Sequence, residues 1–335
     1  MLRITSFFLS LAALVTRGRA GIAFGDSYTF VQGTAGYPAF SFIGGYLPSQ
    51  FSFKPQQLLS DRIVGGYNGT ACGGPNWAEY LTGCGLGDGL HDPAQCPIQL
   101  WDFAFAGADT TEELLPLHHN YTVPLVNQTQ QYLTYAEPVI GHHMDKTRAL
   151  VAIWIGINDI NDAAGMPNVT YLDFYDATLD IVFDASVQTM YDAGYRHFLF
   201  VNLPPLDRTP SAQQSSNPNP NATMINQWNS ALAAHKDAWA RKHDDATALL
   251  YDVNSFLNGV MDHPQKYGIT NTTGFCGSKD PQVLLDPERF GCVPLREYFW
   301  FDAGHISSRA HEVMVEDLRP FLRGESERYG SDGGR

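Results

Sequence analysis

Residues 149–159 read Ala149-Leu150-Val151-Ala152-Ile153-Trp154-Ile155-Gly156-Ile157-Asn158-Asp159. The run up to Ile155 is short and nearly continuously apolar, so it reads as a strand covered by helices on both faces, as in parallel sheets. Four more short, nearly continuous apolar runs share this character, at 21–24, 101–106, 197–203 and 248–253. Segments of helical period separate some of them. Leu172, Tyr175, Leu179, Val182, Ser186 and Met190 follow three/four spacing, as do Ile225, Trp228, Leu232, His235 and Trp239, and each stripe should face the sheet. Strands alternating with helices predict an α/β fold with a five-stranded parallel sheet covered by helices on both faces.

With 335 residues and 44% hydrophobic content, the chain can bury a large core, and one domain over 21–335 is the expectation. Residues at about 31–100 interrupt the pattern with Gly65-Gly66, Gly73-Gly74-Pro75 and Gly83-Cys84-Gly85 turns. They read as an insertion, with one short helix near Trp77–Leu81, that could wall a substrate cleft. Phe30, Tyr37, Phe40, Phe42, Phe51 and Phe53 could line such a cleft or stack on sugars, packing within the insertion being the alternative. The stretch 204–220 reads as a polar surface link. A formal charge of −14 argues against nucleic acid or an anionic membrane as partner, because neutralising phosphate needs clustered Lys and Arg. The mixed run Arg241-Lys242-His243-Asp244-Asp245 reads as a solvated helix end.

Residues 1–20 have secretory signal geometry: Arg3, an apolar run from Phe7 to Val15, then Arg17-Gly18-Arg19-Ala20. A cut after Ala20 would remove three arginines and bring the charge from −14 to −17. Six Asn-x-Ser/Thr acceptors, at Asn68, Asn120, Asn127, Asn168, Asn221 and Asn271, fit a secreted glycoprotein and would mark exposed loops. Five cysteines allow two bridges with one thiol left over, in fifteen pairings. Cys276 with Cys292 is the first expectation, since it would close a loop just before Asp302–His305, worth on the order of 3 kcal/mol in the chain-entropy model. Zinc ligation by cysteine lacks paired spacing.

Ser27, in Gly25-Asp26-Ser27-Tyr28, follows the first strand and is predicted to open a helix, which would place its hydroxyl at the carboxyl edge of the sheet. A helix N-cap is its ordinary alternative. A serine hydroxyl needs a base to take its proton, and of eleven histidines His305 is the best placed, because Asp302 lies three residues before it. That carboxylate can fix the tautomer and stabilise the imidazolium. Gly107 and Asn158, each read as ending a strand, supply N–H donors for an oxyanion, by backbone and by side chain, alongside the Ser27 N–H. The pairs His118-His119 and His142-His143 read as solvent-facing loop residues rather than as metal ligands.

On these four motifs, in this order, the chain resembles the SGNH (GDSL-type) hydrolases, and more closely the secreted fungal carbohydrate esterases of family 16, which are acetyl esterases. The resemblance covers most of the chain after residue 20. It implies a flavodoxin-like three-layer α/β/α sandwich, with Ser27 as nucleophile, Gly107 and Asn158 as oxyanion-hole residues, Asp302 and His305 as acid and base, and no metal or organic cofactor. Tyr28 stands where many relatives carry Leu, and Ile306 where Pro is frequent. The expected function is hydrolysis of small acyl esters on plant-wall oligosaccharides through an acyl-serine, by an extracellular monomer with no stable membrane insertion. The rivals are a lipid acyl hydrolase and a non-catalytic wall-binding protein.

Overall fold

The computed structural model describes residues 20–31, 63–64, 69–86, 90–91, 96, 98–119, 122–141, 144–163, 166, 169–216, 218–278 and 280–332. The signal-peptide reading therefore lies outside the described residues, as do Asn68, Asn120, Asn168, His142, His143 and the aromatics Tyr37, Phe40, Phe42, Phe51 and Phe53. Seven strands are described: β1 (Ala20–Gly25), β2 (Ile63–Val64), β3 (Leu90–His91), β4 (Gln99–Asp102), β5 (Leu150–Trp154), β6 (His197–Val201) and β7 (Thr247–Tyr251). Five of them form one sheet in the order β4-β1-β5-β6-β7, every pairing parallel. The five apolar runs in the sequence are these strands. β2 and β3 pair separately as a two-stranded antiparallel ribbon within the insertion.

Helices cover both faces, which is why β5 and β6 are buried at every position. Tyr175, Leu179, Val182, Ser186 and Met190 are buried along 171–192, and Ile225, Trp228, Leu232 and Trp239 along Ala222–Ala240. Phe183 meets Phe200, Trp239 meets Phe198 and Tyr175 meets Trp228, with ring centroids 5.0, 5.1 and 5.4 Å apart, so both stripes reach the core. Leu172 does not: it is 50% exposed at the start of its helix. On the other face lie Trp77–Thr82, Val253–Asp262 and Ser308–Asp332. The helix Trp77–Thr82 begins with a capping box in which the Asn76 side chain accepts from Ala78 and Glu79 N–H while Glu79 reaches back to the Asn76 N–H.

Cys276 pairs with Cys292 as expected, and Cys84 pairs with Cys96; Cys72 is the free, buried thiol. The described acceptor asparagines are not on open loops. Asn127 lies in the helix Leu125–Gln131, Asn221 caps Ala222–Ala240 through the Met224 N–H, and Asn271 accepts from the N–H groups of Thr273 and Gly274. The stretch 204–220 is more than a polar link: Leu206, Thr209 and Pro210 are buried, and the Ser211 N–H donates to the Ala303 carbonyl.

Glu79 and Asp102 are buried with one carboxyl oxygen each lacking a hydrogen-bond partner. Burial pushes both well above the usual carboxylate range, and the Asp102 charge raises Glu79 further; burial likewise pushes Asp26 up to about 7. A folded-state pKa above the unfolded one means that the folded chain holds more protons, so this contribution to stability is lost as pH rises. Burial lowers His197 and His311, but these are neutral in both states above about pH 7.5 and do not oppose the trend there. The Tm is therefore expected to fall steadily between about pH 7.5 and about pH 9 in calorimetry. A flat or rising Tm over that range would show that these carboxyls ionise without penalty.

Candidate active site

The strand order places β1 between β4 and β5, so the chain leaves β1 toward one neighbour and later returns on its other side. Loops diverge at the carboxyl ends of such strands and leave a crevice there. Ser27 follows β1, Gly107 follows β4 and Asn158 follows β5, so the topology alone gathers three of the five candidate residues.

Ser27 sits on one tight turn, with Thr29 and Phe30 N–H both donating to the Asp26 carbonyl. No helix opens within the described residues there; the turn ends at Thr29, and Phe30 and Val31 are irregular. The turn is anchored from below. Gly25 has φ +152°, and a Cβ at this position would lie 2.2 Å from the Trp154 carbonyl oxygen, so only glycine fits between β1 and β5. The Gln128 side chain clamps the same residue, its Oε1 accepting the Gly25 N–H at 3.0 Å and its Nε2 donating to the Gly25 carbonyl at 2.8 Å. Asp26 is fully buried and accepts the Tyr28 N–H at 2.9 Å.

Against this serine the chain sets an imidazole. His305 Nε2 lies 2.8 Å from Ser27 Oγ, and His305 Nδ1 lies 2.8 and 3.0 Å from the two Asp302 oxygens. Asp302 Oδ1 also accepts the N–H groups of Gly304 and His305, each at 2.8 Å. Partial burial would raise this carboxyl, but hydrogen bonds and charge from His305, with the two backbone donors, hold it below the usual range. It is thus ionised at neutral pH, which puts the imidazole proton on Nδ1 and leaves Nε2 as the acceptor facing the hydroxyl. The loop carrying His305 is pinned by Tyr28, whose buried hydroxyl donates to the Gly304 carbonyl at 2.6 Å and whose ring centroid is 5.6 Å from the imidazole. The Tyr in place of Leu thereby ties the Ser27 turn to the His305 loop.

Two strand ends fall earlier than the apolar pattern implies. β4 stops at Asp102, whose buried carboxyl accepts the Ala104 N–H, although Phe103 and Phe105 N–H still donate to the β1 carbonyls of Ala23 and Gly25. Gly107 accordingly lies in the following turn, at φ +80°, and does not end the strand. Asn158 is the second residue of the helix Ile157–Ala163, not a strand end. Its Nδ2 donates to the Ala108 carbonyl at 2.9 Å, and Asp159 accepts the Thr110 N–H at 2.9 Å, so this helix is tied to the Gly107 turn. The amide of Asn158 retains a second N–H.

The family model for GDSL-like Lipase/Acylhydrolase matches residues 22–318. The chain belongs to this family. Relatives by sequence include an acetylesterase of Thermothelomyces thermophilus, 27% identical over 310 residues that cover 90% of this chain and 88% of that protein. GDSL esterase/lipase 2 of Arabidopsis thaliana is 24% identical, with 90% and 86% of the two chains covered. Among solved structures, a carbohydrate acetylesterase from Sinorhizobium meliloti aligns over 90% of this chain and 99% of its own, at 14% identity and a TM-score of 0.39. As a GDSL-family protein the chain is a carboxylic ester hydrolase, and its substrates are small-molecule esters.

Within this GDSL site, sequence reasoning missed Gln128 and the burial of three neighbouring carboxyls. Burial pushes Asp26 up to about 7 and Asp159 up to about 6; Asp109 rises to about 9 through burial and then the charges of Asp159, Asp162 and Asp26. Nothing in Leu125-Val126-Asn127-Gln128 announces a clamp, because the partner is the backbone of a residue 103 positions away. His118 is exposed, as read from the sequence, yet its Nε2 contacts Asp162 at 2.6 Å. With Asp109, these two form the one group of potential metal-binding side chains found among the described residues. No described helix is long and apolar enough to cross a membrane.

Proposed function

We propose that this chain is a secreted serine esterase that removes small acyl groups, acetyl foremost, from sugar hydroxyls such as those of plant-wall oligosaccharides. The observation that carries the chemistry is the 2.8 Å approach of His305 Nε2 to Ser27 Oγ, with Asp302 behind the imidazole. Ser27 attacks the ester carbonyl as His305 takes its proton. The tetrahedral oxyanion is held by the N–H groups of Ser27 and Gly107 and by the Asn158 amide. His305 then protonates the departing alcohol and activates water to release the acid from acyl-Ser27.

A hollow of about 290 Å³ beside Gly304 and Ile157 supports a sugar as the alcohol. Its wall includes Asn161, Thr209, Ser211, Ser215 and Asn219, neutral hydroxyl and amide groups suited to polyol recognition and unsuited to a long acyl chain. The acetylesterase relative supports the acyl preference, and the two disulfides and the leader-like N-terminus support secretion. Activity on acetylated xylo-oligosaccharides and on acetate over octanoate esters is the expected result. Preference for octanoate would move the reading to lipid esters, and polysaccharide binding without organophosphonate labelling of Ser27 would replace it with a binding protein.

A further inference from the structure

Asp109 lies two residues after Gly107, is 1% exposed, and has neither carboxyl oxygen in contact with a hydrogen-bond donor. Buried carboxyls normally accept such bonds, and the few that do not require a proton, a water or an ion to complete them. One ligand atom of Asp109 lies within 4.8 Å of ligand atoms of both His118 and Asp162. We infer that Asp109, His118 and Asp162 bind one divalent cation of the Zn²⁺ or Mn²⁺ type, with solvent filling the remaining positions.

The donor set selects the class of ion. Ca²⁺ and Mg²⁺ favour oxygen-only sites, whereas one imidazole with two carboxylates suits the later first-row metals. An ion at about 2.0–2.2 Å from each donor would separate the ligands by roughly 3–3.5 Å, opening the His118 to Asp162 contact and drawing in the unpartnered Asp109.

The position gives the ion a role. Asp162 lies four residues after Asn158, one turn along the helix Ile157–Ala163, and a Cβ on Gly107 would lie 3.4 Å from His118 Nδ1. The ion would thus bridge the two segments that bear Gly107 and Asn158, setting their spacing without touching substrate. This is a positioning ion, and its binding does not depend on which ester the enzyme cleaves.

Isothermal titration of the chelator-treated full chain with ZnCl₂ and MnCl₂ tests the site, with melting followed in parallel. One ion per chain and a raised Tm are expected. Affinity should weaken by at least about tenfold in both His118→Ala and Asp162→Asn; their side chains are exposed or half-exposed, and an unchanged metal-free Tm separates lost binding from misfolding. Absence of binding by the native chain overturns the inference, as does equal affinity in the two variants, which would place the metal elsewhere. Tighter binding of Ca²⁺ than of either transition metal would overturn the assigned class of ion.

Discussion

The Ser27→Ala variant is expected to lose ester turnover by about 10⁴-fold or more while melting within a few degrees of the native chain. Ser27 is half-buried on a turn whose shape is fixed by its neighbours: Gly25 is held by Gln128, Asp26 caps the Tyr28 N–H, and Tyr28 bonds to Gly304. Removing one hydroxyl leaves all of these in place and deletes only the 2.8 Å contact to His305. The large kinetic effect and the small structural one follow from the same geometry. Hydrolysis of an acetyl ester by purified Ser27→Ala at a rate near that of the native chain, with contaminating esterase excluded by active-site titration, would sink the acyl-serine mechanism. Residual catalysis above the uncatalysed rate is still expected, because the oxyanion donors remain.

The candidate site is legible in the sequence where its logic is local. Asp302 and His305 are three residues apart on one turn, so the carboxylate can reach Nδ1 and the two backbone N–H groups together, and a short motif records all of it. Ser27, Gly107 and Asn158 are legible for another reason: each follows an apolar strand, and a parallel sheet gathers its carboxyl ends along one edge. What the sequence obscured depends on distant partners. The β4 run reads as extending to residue 106 because Phe103, Ala104 and Phe105 are as apolar as the strand; the regular strand stops at Asp102, whose side chain accepts the Ala104 N–H, although Phe103 and Phe105 still donate to β1. The stretch 204–220 looked polar, but it packs Leu206 and Pro210 inward and supports Ala303, a contact no composition reports. Gln128 and Asp109 are in the same position, since their importance lies in what they face across the sheet edge.

Asp302→Asn should be nearly as damaging as loss of the nucleophile, with a fall in kcat of about 10⁴-fold near neutral pH, although it changes only one atom of the side chain. In the native site one oxygen, Oδ1, accepts three N–H groups, those of Gly304, His305 and the His305 ring, while Oδ2 lies 2.8 Å from the ring nitrogen. Asparagine can keep its oxygen on the two backbone donors and so preserve the turn, which places its NH₂ against Nδ1. That nitrogen must then act as acceptor, the imidazole proton moves to Nε2, and the ring presents a donor to Ser27 where a base is needed. The variant should therefore fold, show an unchanged KM within a few-fold, and recover part of its rate at high pH, where the serine can lose its proton without help from a base. The native enzyme, whose Asp302 carboxyl is held below the usual range, should by contrast keep a carboxylate behind the imidazole from neutral pH down through the usual carboxylate range. If Asp302→Asn retained native kcat across that range, the carboxylate would be dispensable and the imidazole would be oriented by the Tyr28-supported loop alone.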